Sequence, residues 1–347
     1  MEKIALNKNN KAVGIWLLFM AFMVFAMVIV GGATRLTESG LSMVNWNPVT
    51  GALPPLGEEA WQKEFSDYKT SPEYRIKNAG MSLEDFKGIF YWEWGHRLLG
   101  RLIGVAFLIP FLWFWTRGQI PLGYKSKLLA LFFLGGSQGL LGWYMVMSGL
   151  VDEPAVSHYR LTAHLMLALF IFAALLWTAL SLLRGQAKGS KSDRDTLLNL
   201  AFIVLVVQLV MGALVAGLKA GHIFNSWPLM GDTFVPDGMM GIEPWWRNLI
   251  DNAITVQFDH RIGAYIFTLI TVIIIWKFRH AGKRLVGASH MLGCAVLLQM
   301  LLGIVMLIKS VPVTWGTAHQ GGGVLVLAAL INLMHLSRRG ETNDIRK

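Results

Sequence analysis

Residues 90–104 read Phe90-Tyr91-Trp92-Glu93-Trp94-Gly95-His96-Arg97-Leu98-Leu99-Gly100-Arg101-Leu102-Ile103-Gly104. This stretch puts four ionisable side chains, Glu93, His96, Arg97 and Arg101, at the mouth of a long apolar run. A carboxylate and a histidine three residues apart share one face of a helix. Ionisable groups at the start of a membrane-crossing helix are costly to keep, and where they persist they mark a site. The plainer alternative is an interfacial histidine with arginine stems lying along the lipid. What answers this stretch elsewhere in the chain separates the two.

The chain has 347 residues, 54% of them hydrophobic and 15% charged, with a mean hydropathy of +0.49. Soluble domains carry roughly 25% charged residues. Long apolar runs alternate with short polar segments, the pattern of a polytopic membrane protein. About eight runs reach the roughly 20 residues that a span needs: 12–34, 89–115, 127–149, 158–183, 196–218, 254–277, 285–309 and 315–337. The expected fold class is all-α, two repeated four-helix bundles with both termini inside. Met1 to Lys11 is short and holds Glu2, a poor transit peptide, so the run from Ala12 to Val30 is expected to be a retained first span.

The net charge of +10 would suit a nucleic-acid binder if it were clustered. It follows the membrane instead. With the N-terminus inside, the inner segments carry 18 Lys and Arg against 5 Asp and Glu, and the outer segments 13 against 16. A basic inner face is a topology signal, and no nucleic-acid role is expected. The single cysteine, Cys294, excludes an internal disulfide framework and a cysteine metal cluster; it is expected to be a small buried apolar residue. The first outer loop, roughly 35–88, holds Trp46, Pro48, Pro54, Pro55, Trp61 and Tyr68 and is expected to be an ordered cap at the interface. A second outer loop, about 219–253, carries Trp227, Trp245 and Trp246.

The two halves answer each other in order. Gly40 and Trp46 match Gly221 and Trp227; His96-Arg97 matches His260-Arg261; Gln138 with Gly142 matches Gln299 with Gly303; Thr162-Ala163-His164 matches Thr317-Ala318-His319. The offsets shrink steadily, 181, 164, 161 and 155, as shorter loops in the second half require. Four helices followed by four in the same orientation make a parallel repeat about an axis along the membrane normal. The halves are read as 1–190 and 191–347.

Of nine histidines, His96, His164, His260 and His319 sit in the repeat, each one or two turns from the outer end of its expected helix. They form two pairs, each facing across a four-helix unit. Paired histidines on facing helices hold haem iron from both sides. Gly95, Gly100, Gly104, Gly263, Gly316 and Gly321 to Gly323 leave room for a flat macrocycle, and Arg97, Arg101 and Arg261 can pair with propionates. Zinc fits less well, since no third ligand stands beside either pair. His280, His290 and His335 fall at inner ends and read as interfacial; His158 and His222 are outer. The pairs differ chemically. Three residues before His96 stands Glu93, whereas three before His260 stands Gln257; Asp259 points to another helix face. One site therefore has a carboxylate and the other has none.

On the run Gly31-Gly32-Ala33-Thr34-Arg35-Leu36-Thr37-Glu38-Ser39-Gly40-Leu41-Ser42, the stretch from Glu93 to Arg101 and the four histidines, the chain resembles the haem A synthase family over essentially its whole length, closest to the mitochondrial and alphaproteobacterial branch. The cysteine pair of the Gram-positive branch is missing. The resemblance implies oxidation of a ring methyl of haem O to a formyl group, giving haem A for terminal oxidases. It implies a substrate-haem site at His96 and His164 with Glu93 beside it, and His260 and His319 as axial ligands of a permanent haem b. It places the chain in the bacterial inner membrane with the haem sites near the periplasmic side. Haem O is the expected substrate; a complex with haem O synthase and a homo-oligomer are further partner expectations. The rival readings are a dihaem cytochrome b that only passes electrons, which leaves Glu93 unused, and a transporter with parallel repeats, which leaves the paired histidines unused.

Overall fold

A computed structural model describes residues 8–47, 50–187 and 193–339; Pro48 lies outside them. Among the described residues, eight helices are long and apolar enough to cross a membrane. They are α1 (Lys8–Leu36), α4 (Leu83–Thr116), α5 (Lys125–Met147), α6 (His158–Arg184), α7 (Asp193–Gly217), α9 (Ala253–Phe278), α10 (Lys283–Ile308) and α11 (Val313–Arg338). Shorter helices α2 (Glu58–Lys69), α3 (Pro72–Ile76) and α8 (Asn248–Asp251) lie in the two long connections. Each expected span matches one of the long helices. The largest departure is α4, which starts at Leu83, where Ser82 accepts a hydrogen bond from the Asp85 amide at 3.2 Å. Glu84 and Asp85 in its first turn complement the helix dipole. The helix therefore rises beyond the apolar run, and His96 sits deeper along it than one or two turns.

Helices α1, α4, α5 and α6 pack in a closed ring, and α7, α9, α10 and α11 in another. The rings meet through α1 against α11, α6 against α7, and α6 against α11. Under the repeat, α1 corresponds to α7 and α6 to α11. The first two contacts are then copies of each other and the third lies on the two-fold axis. Glycine lets the backbones close up: a Cβ on Gly217 would stand 2.5 Å from the His158 Cβ and 2.8 Å from its Cα. Polar bonds tie the halves. Arg35 donates to the Ala216 carbonyl, Lys219 pairs with Glu38, the Gln320 amide donates to the Val28 carbonyl at 2.7 Å, and His158 meets Asp251 at 3.0 Å.

Two expectations are corrected. Cys294 is exposed on α10, because a uniformly apolar membrane helix does not reveal which face is turned to lipid. His335 is fully buried rather than interfacial. It lies on the central helix α11, edge-on to Trp177 at 5.1 Å and 3.3 Å from the Ser181 hydroxyl. His280 and His290 are exposed, in keeping with interfacial positions.

The long connection after α1 is ordered by aromatic packing. Trp61, Phe65 and Tyr68 of α2 close on Phe86 and Phe90 of α4, with Trp61 and Phe90 rings 5.0 Å apart at 74° and Tyr68 stacked on Phe86 at 5.0 Å. These contacts pin the connection to the end of α4 that carries the ionisable residues. Glu73, 3% exposed, is buried beneath this cap and accepts from the Tyr68 hydroxyl at 3.1 Å. Burial raises its carboxyl from 4.5 to about 7. The folded cap thus holds a proton that the unfolded segment releases. The stability this contributes is complete below about pH 4.5 and is lost as the pH rises to 7. Limited proteolysis of the 50–82 segment is expected to quicken as pH rises through this window, and Glu73→Gln to remove that dependence. A wild-type rate flat from pH 4.5 to 7 would contradict it.

Candidate functional site

The end of the helices that carries the long connections opens into two cavities, one in each ring. The first, of about 610 Å³, is lined by Glu93, His96, Arg97, Arg101 and His164. The second, of about 260 Å³, is lined by Gln257, His260, Arg261 and His319. The repeat thus brings each expected pair together, and each arginine lies beside the pair it was expected to serve. Arg35, Ala216 and Lys219 line both cavities and form part of the wall they share. Asp259 is not among the residues lining either one.

Glu93 is 2% exposed and fully engaged. Its Oε2 accepts from the Ser42 hydroxyl at 2.7 Å and the Met43 amide at 2.8 Å, and its Oε1 from Arg97 at 2.6 Å. Three donors, one of them cationic, complement a negative charge. The sequence explains the arrangement. The turn after α1 is closed by Ser39 N donating to the Thr34 carbonyl and by the Thr37 and Ser39 hydroxyls at 2.8 Å, and it delivers Ser42 and Met43 to α4. Arg97 also donates to the Met43 carbonyl at 3.0 Å and the Asn45 carbonyl at 3.2 Å, and its guanidinium stacks on Trp46. Arg101 donates to the Asn47 carbonyl at 2.7 Å.

The second cavity copies this frame without the charge. Gln257, 3% exposed, donates to the Phe224 carbonyl at 3.0 Å, and Arg261 donates to the same carbonyl at 3.1 Å and to Leu229 at 3.2 Å. In both halves the arginine one turn beyond the acid or amide fastens a loop over its cavity. His222 is exposed and lines the second cavity.

The residues fit a haem. The His260 and His319 rings stand 6.4 Å apart, centre to centre, with planes at 85°. Two imidazoles bonded to one metal from opposite sides by bonds of ~2 Å stand about 6 Å apart. Glycines leave no slack around the rings: a Cβ would stand 2.9 Å from His164 at Gly142, 3.1 Å from His260 at Gly212 and 2.8 Å from His319 at Gly303. His319 Nδ1 is buried without a hydrogen-bond partner among the described residues. Nor, among them, do three His, Cys, Asp or Glu side chains gather around one point, fewer than a structural zinc takes and the number a catalytic one takes.

Several contributors were not singled out from the sequence. Arg35 belongs to the 31–42 run, but nothing in a linear reading says that it reaches across to the other half. Glu73 lies in a loop whose folding depends on distant aromatics. Gln208 carried a usable signal, since Gln208 and Gly212 repeat the four-residue spacing of Gln138 with Gly142 and of Gln299 with Gly303.

Comparison with known proteins gives a consistent picture. A protein of Parvibaculum lavamentivorans named "Heme A synthase" is 46% identical over 95% of both chains. A protein of the same name from Rhodospirillum centenum is 49% identical over 96% of this chain and 90% of its own, and one from Rhodopseudomonas palustris is 48% identical over 93% and 90%. Residues 14–331 match the COX15-CtaA family, described as "Cytochrome oxidase assembly protein". With eight apolar helices, two histidine-paired cavities and relatives that align nearly end to end, the chain belongs to the COX15-CtaA family.

Proposed function

We propose that this chain is a haem A synthase, an oxidoreductase that converts a ring methyl of haem O to a formyl group through two successive hydroxylations and dehydration of the geminal diol. The observation that carries the reading is Glu93, a carboxylate with three donors in the cavity of His96 and His164, where the repeat puts the neutral Gln257 in the other cavity.

In this reading the first half, 1–190, holds substrate and the second, 191–347, holds haem b. His96 and His164 ligate the iron of haem O, and Arg97 and Arg101 face its propionates. Each hydroxylation removes two electrons from a carbon attached to the porphyrin, passed to an electron acceptor outside the chain, and builds positive charge on that carbon. Glu93 stabilises that charge, or orients a water and takes its proton as the C–O bond forms. Arg97 and the Ser42–Met43 turn hold the carboxylate in place, and the cap shields it from solvent. His260 and His319 would hold haem b, with Arg261 at its propionates; the group supplies one-electron transfer there. In the same reading the chain lies in the bacterial inner membrane with both cavities towards the periplasm, an orientation that the basic excess of the inner segments supports. Transfer of haem O directly from a haem O synthase, and association of chains with each other, belong to the same reading.

The test is co-expression with a haem O synthase in a host that makes no haem A, followed by extraction and chromatography of the haems. Haem A supports the assignment. Unaltered haem O beside haem b would leave a dihaem electron carrier.

A further inference from the structure

Each of the four histidines is matched by two positions spaced four apart on a neighbouring helix. Three of these pairs are glutamine and glycine: Gln138 and Gly142 against His164, Gln208 and Gly212 against His260, Gln299 and Gly303 against His319. At His96 the corresponding positions are Met27 and Gly31: a Cβ on Gly31 would meet the His96 ring, and Met27 lines the same cavity. The offset of 181 that carries Gly31 onto Gly212 carries Met27 onto Gln208.

The glutamines act alike. Their amide nitrogens donate to the backbone carbonyls of His164, His260 and His319 at 3.0, 2.9 and 2.9 Å. The Gln138 amide also lies 3.2 Å from Nδ1 and 3.4 Å from Nε2 of the His164 ring, and the Gln208 amide 3.1 Å from His260 Nδ1. An interhelical hydrogen bond in a membrane meets little competition from water. Anchoring the histidine's own carbonyl fixes the backbone from which the ring hangs, and with it the direction in which the ring points. A thioether has no proton to donate, so Met27 can do neither. Its methyl instead comes within 3.4 Å of where a Cβ on Gly100 would stand, one turn beyond His96. The His96 ring also presents a different edge. A Cβ on Gly31 would stand nearest its Nε2, at 3.4 Å, whereas one on any of the other three glycines would stand nearest Cε1.

We propose that Gln138, Gln208 and Gln299 are positioning residues that hold their histidines as fixed ligands, and that Met27 leaves His96 as the exchangeable one, through which substrate haem is taken up and product released. This rests on the ligand assignment made above. It accounts for the way the four positions divide. The second cavity grips from both sides, as a resident group requires. The first grips firmly through His164 and loosely through His96, and it is the roomier, about 610 against 260 Å³. A substrate held as firmly as a cofactor would leave slowly as product.

Haem transfer from the purified, haem-loaded protein to apomyoglobin tests this. Two phases are expected, with the fast one assigned to the first cavity by its disappearance in His96→Ala. Met27→Gln, close to isosteric, is expected to slow the fast phase about tenfold, the worth of one added hydrogen bond. The low-spin electron paramagnetic resonance signal of that haem should also move towards the signal of the second. Gln208→Met is expected to speed the slow phase about tenfold, with Gln299→Met as the alternative should the first variant not fold. A fast phase unchanged by Met27→Gln yet abolished by His96→Ala would overturn this proposal and leave the ligand assignment standing. A fast phase that survives His96→Ala would overturn both.

Discussion

Glu93→Gln is expected to keep both haems bound and to stop haem A formation or stall it at the alcohol, lowering conversion by about 10²–10⁴-fold, the usual contribution of a positioned general base. The protein should survive the change, because the second half already holds an amide in the equivalent place: Gln257 is buried beside Arg261 and bonded to the same loop carbonyl. The variant loses the 2.6 Å ion pair with Arg97. Removing one member of a buried pair usually costs about 3–5 kcal/mol, but Arg97 keeps the Met43 and Asn45 carbonyls, which soften the loss. Extracted haems from cells co-expressing a haem O synthase provide the readout. Haem O or its hydroxylated form should accumulate, with haem b unchanged. Normal haem A output would remove Glu93 from the reaction.

His260→Ala has the second large effect. The variant is expected to lose one equivalent of haem b and to retain the haem of the first cavity. Truncation deletes one of two ligands that stand 6.4 Å apart across a narrow cavity, so the remaining His319 has no partner on the opposite face. The helices should stay packed, since Gln208 still donates to the backbone carbonyl at position 260 at 2.9 Å. Pyridine haemochrome content per chain measures the outcome; an unchanged haem b content would contradict the ligand assignment.

The sequence carried the fold unusually far, for a physical reason. In lipid every backbone group must be bonded within its own helix, so apolar run lengths translate almost directly into elements. The repeat then fixed which helices correspond, and His96, His164, His260 and His319 fell into their pairs. What lay beyond the sequence depends on which face each helix turns inward. Cys294 and His335 were both misplaced for this reason: α10 is peripheral and α11 is central, and an even apolar composition marks neither. The cap was expected to be ordered, yet its purpose showed only once Ser42 and Met43 were seen to hold Glu93. Arginine next to histidine suggested propionates, and the structure adds a second task, since Arg97, Arg101 and Arg261 each fasten loop carbonyls over a cavity. Arg35 remained hidden because its partner, the Ala216 carbonyl, lies in the other half.

The central claim is that four imidazoles grip two irons. Anomalous scattering at the iron edge from crystals of the haem-loaded protein tests it most directly. Two peaks are predicted, one between His260 and His319 and one between His96 and His164, the latter in the cavity of Glu93. Iron at neither pair, or a haem seated away from both, would contradict it.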